Sequence, residues 1–108
     1  MTESSLSIGT RRQKIRFKCV TNDQRPLRLA GNIAELGEWN LGHALAMDAY
    51  PRVQGGFEWT AQVELPLGQT IEYKFVKNGD GGPRWESGNN HRITVIPGLH
   101  TLDSDFRE

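Results

Sequence analysis

The chain has 108 residues, a length typical of a single domain that buries one ordinary core. Its 13 basic and 13 acidic residues cancel, so the net charge attracts neither nucleic acid nor acidic membranes, and we expect neither as a partner. The single cysteine, Cys19, excludes an internal disulfide framework and fits a reducing compartment.

The chain opens with a polar stretch. Residues 1–10 are rich in Ser and Thr and lack the apolar run of a secretory signal. No apolar run anywhere in the sequence approaches the length of a membrane helix. We therefore expect a flexible N-terminal segment over residues 1–12, one domain over residues 13–108, and no membrane partner.

Most of the chain alternates apolar and polar residues with a period of two, which predicts β-strands. The predicted strands contain, in chain order, residues 15–19, 27–29, 45–47, 59–65, 71–75, 93–95 and 102–106. Only residues 33–36 have the character of a helical turn, and the turn residues at 66–68 predict a hairpin between the fourth and fifth strands. About seven to eight short strands with Gly-rich turns indicate an all-β, antiparallel β-sandwich.

Two tryptophans fall outside this pattern. Trp39 and Trp85 each lie in a stretch rich in Gly, Asn and Glu, whereas strand phase places Trp59 in the core. An indole has a flat apolar face and one N–H donor, which suits a sugar ring. Lys74, on the outward face of the fifth strand, would offer donors beside such a ring; taken alone, the interpretation as an ordinary solvated lysine is favoured.

The sequence gives little support to metal binding or nucleophilic catalysis. His43, His91 and His100 are widely spaced and match no ligand pattern, so we expect neither a metal nor another cofactor. Cys19 lies in mid-strand on the core face, where a cysteine behaves as a small hydrophobic residue.

Acid–base catalysis has two candidates, Glu38 and Glu86, which each neighbour one of the two tryptophans. Both are expected in exposed turns, without the apolar burial that raises a carboxyl pKa for acid catalysis. We therefore expect no catalytic residue.

The order of the motifs identifies a family. The motifs are Leu-Ala-Gly-Asn (29–32), Leu-Gly-Glu-Trp (36–39), Trp59 with Val-Glu-Leu-Pro (63–66), Ile-Glu-Tyr-Lys-Phe-Val-Lys (71–77) and Trp-Glu-Ser-Gly-Asn-Asn-His-Arg (85–92). From about Lys14 to Val95 the chain resembles the family 20 carbohydrate-binding modules, the starch-binding domains of glucoamylases and related proteins. Each motif alone is weak, and their combined order is specific.

The resemblance implies an immunoglobulin-like β-sandwich that binds α-1,4-glucan without cleaving it. The expected ligands are starch, glycogen and maltooligosaccharides, and we expect a monomer. By motif, Trp39 and Trp85 match the family's stacking residues, and Lys74, Glu86 and Asn90 match its polar residues.

The family's second site stacks sugars on two tyrosines, of which Tyr50 matches one. The other should fall near residues 21–24, where no aromatic residue occurs. Trp59 matches a tryptophan that can border this second site, although its strand phase also places it in the core.

Two other function classes stay open. One is a protein-interaction module that kept the sandwich and lost glucan binding, and the other is a small hydrolase that acts on glucan. The lone cysteine and the polar N-terminus favour an intracellular family member, in the cytoplasm or a plastid, over a secreted amylase.

Overall fold

In a computed structural model, which describes residues 11–79 and 81–108, the chain forms strands and two short 3-10 helices. The elements are β1 (Arg12–Thr21), β2 (Leu27–Gly31), η1 (Ala34–Trp39), η2 (Leu41–His43), β3 (Leu45–Ala46), β4 (Asp48–Pro51), β5 (Phe57–Pro66), β6 (Thr70–Gly79), β7 (Gly82–Trp85), β8 (His91–Thr94) and β9 (Thr101–Asp105). No helix in this described part is long and apolar enough to span a membrane.

The strands form two sheets. The first has the order β4-β5-β1-β9, and the second has the order β3-β2-β6-β7, with β8 also paired to β6. β7 pairs with residues 76–79 of β6, and β8 pairs with residues 70–73. Lys74 and Phe75 therefore lie between these two registers, and this interruption in the sheet positions the candidate site.

The core lies between the sheets and is built from alternate residues of the long strands. Ile15, Phe17 and Cys19 of β1 are fully buried, as their period-two spacing predicts. Phe17 meets Tyr73 of β6 edge to face, with ring centroids 5.0 Å apart, so the aromatic rings join the two sheets. Burial of each large apolar side chain stabilises the fold by about 1.5–3 kcal/mol.

The predicted all-β sandwich is confirmed, with two differences in detail. The described residues form nine strands, because residues 48–51 and 82–85 make short strands that the alternation did not reveal. β9 runs parallel to β1, so the sandwich is not wholly antiparallel. The helical turn predicted at residues 33–36 overlaps η1.

The predicted hairpin at residues 66–68 is wrong. β5 pairs with β1 and β4, whereas β6 pairs with β2, β7 and β8, so the turn connects the two sheets. The backbone N–H groups of Leu67 and Gly68 donate to the carbonyls of Arg11, which precedes β1, and Val95, which follows β8. A Pro-Gly turn signal specifies where the chain reverses, but it does not specify the strand with which the next segment pairs.

The prediction of a flexible N-terminal segment covers residues 1–12, of which residues 1–10 lie outside the described residues. Arg12 already belongs to β1, so the first strand begins one residue before the expected domain start.

Candidate functional site

Trp39 and Trp85 form a pair on the surface of the second sheet. Their ring centroids are 6.2 Å apart and the ring planes are inclined by 49°. The two residues are 36% and 38% exposed, which leaves part of each indole open to solvent. The two tryptophans that the sequence singled out are therefore adjacent in space, although 46 positions separate them in the chain.

Trp39 is held by an unusual backbone. Gly37, Glu38 and Trp39 have φ values of 85°, 50° and 66°, three consecutive residues in the left-handed region. This conformation costs a non-glycine residue on the order of 1 kcal/mol or more. A Cβ on Gly37 would lie 2.6 Å from the carbonyl carbon of His43, so the position also requires glycine for space.

Three further contacts anchor this loop. Leu36 is fully buried in the core, and Arg12 of β1 donates to the carboxylate of Glu35. The backbone N–H of Glu38 donates to the carbonyl of Ile33 (3.0 Å), which closes the turn. The loop is thus fixed by its own backbone and by the core beneath it.

Trp85 is the last residue of β7, and the chain continues into the interruption between β7 and β8. The N–H of Glu86 donates to the carbonyl of Phe75 (3.0 Å). The carboxylate of Glu86 then accepts the N–H of Phe75 at Oε1 (2.9 Å). A side chain therefore satisfies the backbone donor that a continuous strand would otherwise pair.

The exposed-turn position expected for Glu86 is wrong, because its carboxylate is fully buried. Arg107 Nε donates to Oε2 (2.9 Å) and His91 Nε2 donates to Oε1 (2.8 Å). Burial alone would raise the pKa of Glu86, but the hydrogen bonds from His91, Arg107 and Phe75 outweigh it and hold the pKa below its usual range. A general acid in a glycosidase needs the opposite shift.

The remaining polar residues lie on β6 and in the loop that follows Trp85. Lys74 Nζ donates to the main-chain carbonyl of Glu86 (3.1 Å), the residue that follows Trp85 in the chain. Asn90 Nδ2 donates to Glu72 Oε1 (3.0 Å) at the surface. Sequence reasoning missed Glu72, although it stands two residues from Lys74 on the same strand face, a spacing that could have identified it.

Tyr50 and Trp59, the residues expected at a second site, differ in their exposure to solvent. Tyr50 of β4 is 55% exposed on the first sheet, beside a shallow surface concavity that Arg16, Lys18 and Asp48 help to line. Trp59 is only 5% exposed, and its Nε1 donates to Thr21 Oγ1 (2.8 Å). The core position that strand phase predicted for Trp59 is confirmed, so its indole is not presented beside Tyr50.

Within residues 11–79 and 81–108, no three His, Cys, Asp or Glu residues come together as metal ligands.

Comparison with known proteins identifies a family over most of the chain. Residues 12–104 match the starch binding domain family. A lytic polysaccharide monooxygenase of the AA13 family from Pyricularia oryzae is 34% identical over 97 residues, which are 85% of this chain and 25% of that protein. A cyclomaltodextrin glucanotransferase from Paenibacillus macerans is 35% identical over 89 residues, 81% of this chain and 12% of that protein.

The fold has a counterpart among solved structures. A glycoside hydrolase family 15 glucoamylase from Hypocrea jecorina superimposes with a TM-score of 0.80 at 28% identity. The match covers 90% of this chain and 17% of the glucoamylase. The chain thus spans a quarter or less of each of these larger proteins.

The lowered pKa of Glu86 predicts a pH-dependent stability. The ionised carboxylate stabilises the fold at pH values above its unfolded pKa of about 4.3, and this contribution is lost as the pH falls through the lower folded pKa. We expect Glu86→Gln to reduce the free energy of unfolding by about 1–3 kcal/mol at neutral pH, because the amide nitrogen of Gln would face one of the donors that now bond to the buried carboxylate. The difference in unfolding free energy between the two proteins should shrink in acid, where the wild-type carboxyl is protonated and, like the amide of Gln, carries no charge.

Urea unfolding of both proteins across the acid range measures this deficit. Glu38→Gln, which alters the exposed carboxyl beside the other tryptophan, is the matched control and should leave stability unchanged. A Glu86→Gln deficit that is equally large at neutral and at acid pH would contradict the assignment of an ionised, stabilising carboxylate.

Proposed function

Because this chain belongs to the starch binding domain family, we propose that it binds α-1,4-glucan by stacking sugar rings on Trp39 and Trp85. The family consists of non-catalytic modules found in larger glucan-active enzymes such as cyclomaltodextrin glucanotransferase and glucoamylase. The chain is accordingly a binding module, for which starch, glycogen and maltooligosaccharides are the ligands that we propose.

The exposed, inclined pair of indoles carries this proposal. An α-1,4-glucan curves, so successive sugar rings present their apolar faces at an angle to each other. The 49° inclination and 6.2 Å separation of Trp39 and Trp85 suit such a curved surface better than a flat one. By analogy with bases that stack on aromatic side chains, each indole would contribute about 1–3 kcal/mol.

The polar residues around the pair would orient the bound chain. Lys74 Nζ keeps hydrogens free after donating to the Glu86 carbonyl, since an ammonium has three donors. Asn90 supplies an exposed amide and Glu72 a half-buried carboxylate, which are hydrogen-bonded to each other. Each direct bond to a sugar hydroxyl would contribute about 1 kcal/mol net.

We assign Glu86 a supporting role in place of the direct sugar contact that the motif implied. Both of its carboxylate oxygens already accept hydrogen bonds from interior donors. Its main-chain carbonyl holds Lys74, and its main-chain N–H holds the chain just after Trp85. Glu86 therefore fixes the groups that would touch the sugar.

Tyr50 would provide a weaker, separate contact. It is exposed on the first sheet, away from the tryptophan pair of the second sheet, and Trp59 is buried. A single ring stacks one sugar, so this surface would add modest affinity for a long polysaccharide that reaches both sheets.

The protein-interaction alternative keeps the same fold and predicts that the chain is not retained on amylose or glycogen. We also propose that the module acts as a monomer within a larger glucan-active protein, in the cytoplasm or a plastid. The lone, buried Cys19 supports a reducing compartment.

The first test removes each stacking ring. We expect Trp39→Ala and Trp85→Ala each to raise the dissociation constant for maltoheptaose by about 5- to 150-fold, the equivalent of losing one stacked ring. Titration calorimetry measures the affinity, and circular dichroism verifies that the sheets persist. Unchanged affinity in both variants would refute the site, and no retention of the wild type on amylose or glycogen would favour the protein-interaction module.

The second test compares the two sheets. Tyr50→Ala should weaken maltoheptaose binding less than Trp85→Ala. Among the described residues Tyr50 is the one exposed large aromatic residue on the first sheet, and the oligosaccharide can occupy the tryptophan pair alone. The same titration serves as the measurement. An effect as large as that of Trp85→Ala would show that Tyr50 belongs to the principal site.

A further inference from the structure

The loop that follows Trp85 is tied to the last residues of the chain. After β9 in the first sheet, residues 106–108 cross toward the second sheet, and we call them the C-terminal segment. The N–H of Phe106 donates to Val20 of β1 (2.9 Å), which holds the segment to the first sheet. The N–H of Ser87 donates to the carbonyl of Arg107 (2.9 Å), which attaches the Trp85 loop to that segment.

The guanidinium of Arg107 donates hydrogen bonds to the same loop at two positions. Nε donates to the buried carboxylate of Glu86 (2.9 Å), at the beginning of the loop. Nη2 donates to the carbonyl of Asn89 (2.7 Å), just before Asn90. The planar guanidinium has five donors in fixed directions, so a single side chain sets the separation of these two loop positions.

The two tryptophans are therefore held in different ways. The loop of Trp39 is fixed mainly by its left-handed backbone and by Leu36 in the core, with one side-chain contact from Arg12 of the first sheet to Glu35. Trp85 itself pairs with Val76 of β6 at the end of β7, and the loop that follows it is held by Arg107, 21 residues beyond Glu86 and attached to the other sheet. A residue outside the tryptophan pair thus anchors the loop beside Trp85 to the first sheet.

We propose that Arg107 is a positioning residue of the glucan-binding site, which acts through Glu86 and Asn89 without contacting the sugar. The proposal rests on the proposed function of the tryptophan pair. Arg107 holds Glu86, and Glu86 in turn holds Lys74 through its main-chain carbonyl. Loss of the guanidinium should therefore disturb Trp85, Lys74 and Asn90 together, while it leaves Trp39 in place.

The spectroscopic test needs no ligand. Two indoles at this separation couple electronically and give an exciton couplet in the far-ultraviolet circular dichroism spectrum, which Trp39→Phe should abolish. We expect Arg107→Ala to weaken the couplet. If the competent loop geometry is then populated about one tenth of the time, the dissociation constant for maltoheptaose should rise about tenfold.

Two further variants separate positioning from a general loss of stability. Arg84→Ala removes an equal charge that pairs with Glu108 of the same segment (3.1 Å) and does not contact Glu86, so couplet and affinity should stay at wild-type values. Arg107→Lys keeps a cation for Glu86 but cannot also reach Asn89, so it should fold stably with an intermediate couplet and an intermediate affinity. If Arg107→Ala does not fold, Arg107→Lys decides the question.

The outcomes distinguish the two proposals. A weakened couplet together with reduced affinity, in an Arg107 variant that urea unfolding shows to be folded, supports the positioning role. A loss of stability with couplet and affinity intact overturns it, as does a changed couplet with unchanged affinity. If the wild type fails to bind maltoheptaose, the proposed function fails, and an unchanged couplet in the Arg107 variants would separately overturn the positioning role.

Discussion

The Trp85 half of the tryptophan pair is supported by the buried carboxylate of Glu86. Where β7 ends and β8 has not begun, β6 presents the N–H of Phe75 to an interruption in the sheet, and a buried donor without a partner would cost about 1–3 kcal/mol. Glu86 fills this interruption; Arg107 balances its charge, and His91 donates a hydrogen bond to it. An isolated buried carboxylate would be far more unfavourable, so carboxylate, guanidinium and imidazole stabilise the loop as a unit.

The two halves of the pair show different solutions to one problem, the rigid display of an apolar ring to solvent. Trp39 is held by backbone conformations that are locally unfavourable and that packing of Leu36 beneath them offsets. Trp85 is held by the pairing of β7 with β6, and the loop after it by polar contacts to distant residues. The positive φ in that loop falls on Gly88, and glycine adopts it without strain. A rigid pair binds with a smaller loss of conformational freedom, which favours affinity on a small, open surface.

Much of this structure could be predicted from the sequence, because local patterns determine it. Alternation identified β1, β5 and β6, and strand phase separated the buried Trp59 from the exposed Trp39 and Trp85. What local patterns could not supply was pairing between distant segments. The turn at residues 66–68 reverses the chain but joins two sheets, and the parallel β1–β9 pair leaves no local signature.

Glu86 shows the same limit within the site. Its neighbours Ser87, Gly88 and Asn89 are typical of an exposed turn, and its burial follows from Arg107 and Phe75, which lie 21 and 11 positions away.

The most direct measurement of the glucan-binding site is a crystal structure of the chain with maltoheptaose. It should show sugar rings stacked on Trp39 and Trp85, with a sugar hydroxyl within hydrogen-bonding distance of Lys74 Nζ. Sugar bound only beside Tyr50 on the first sheet, with none on Trp39 or Trp85, would contradict the proposal that the tryptophan pair binds the glucan.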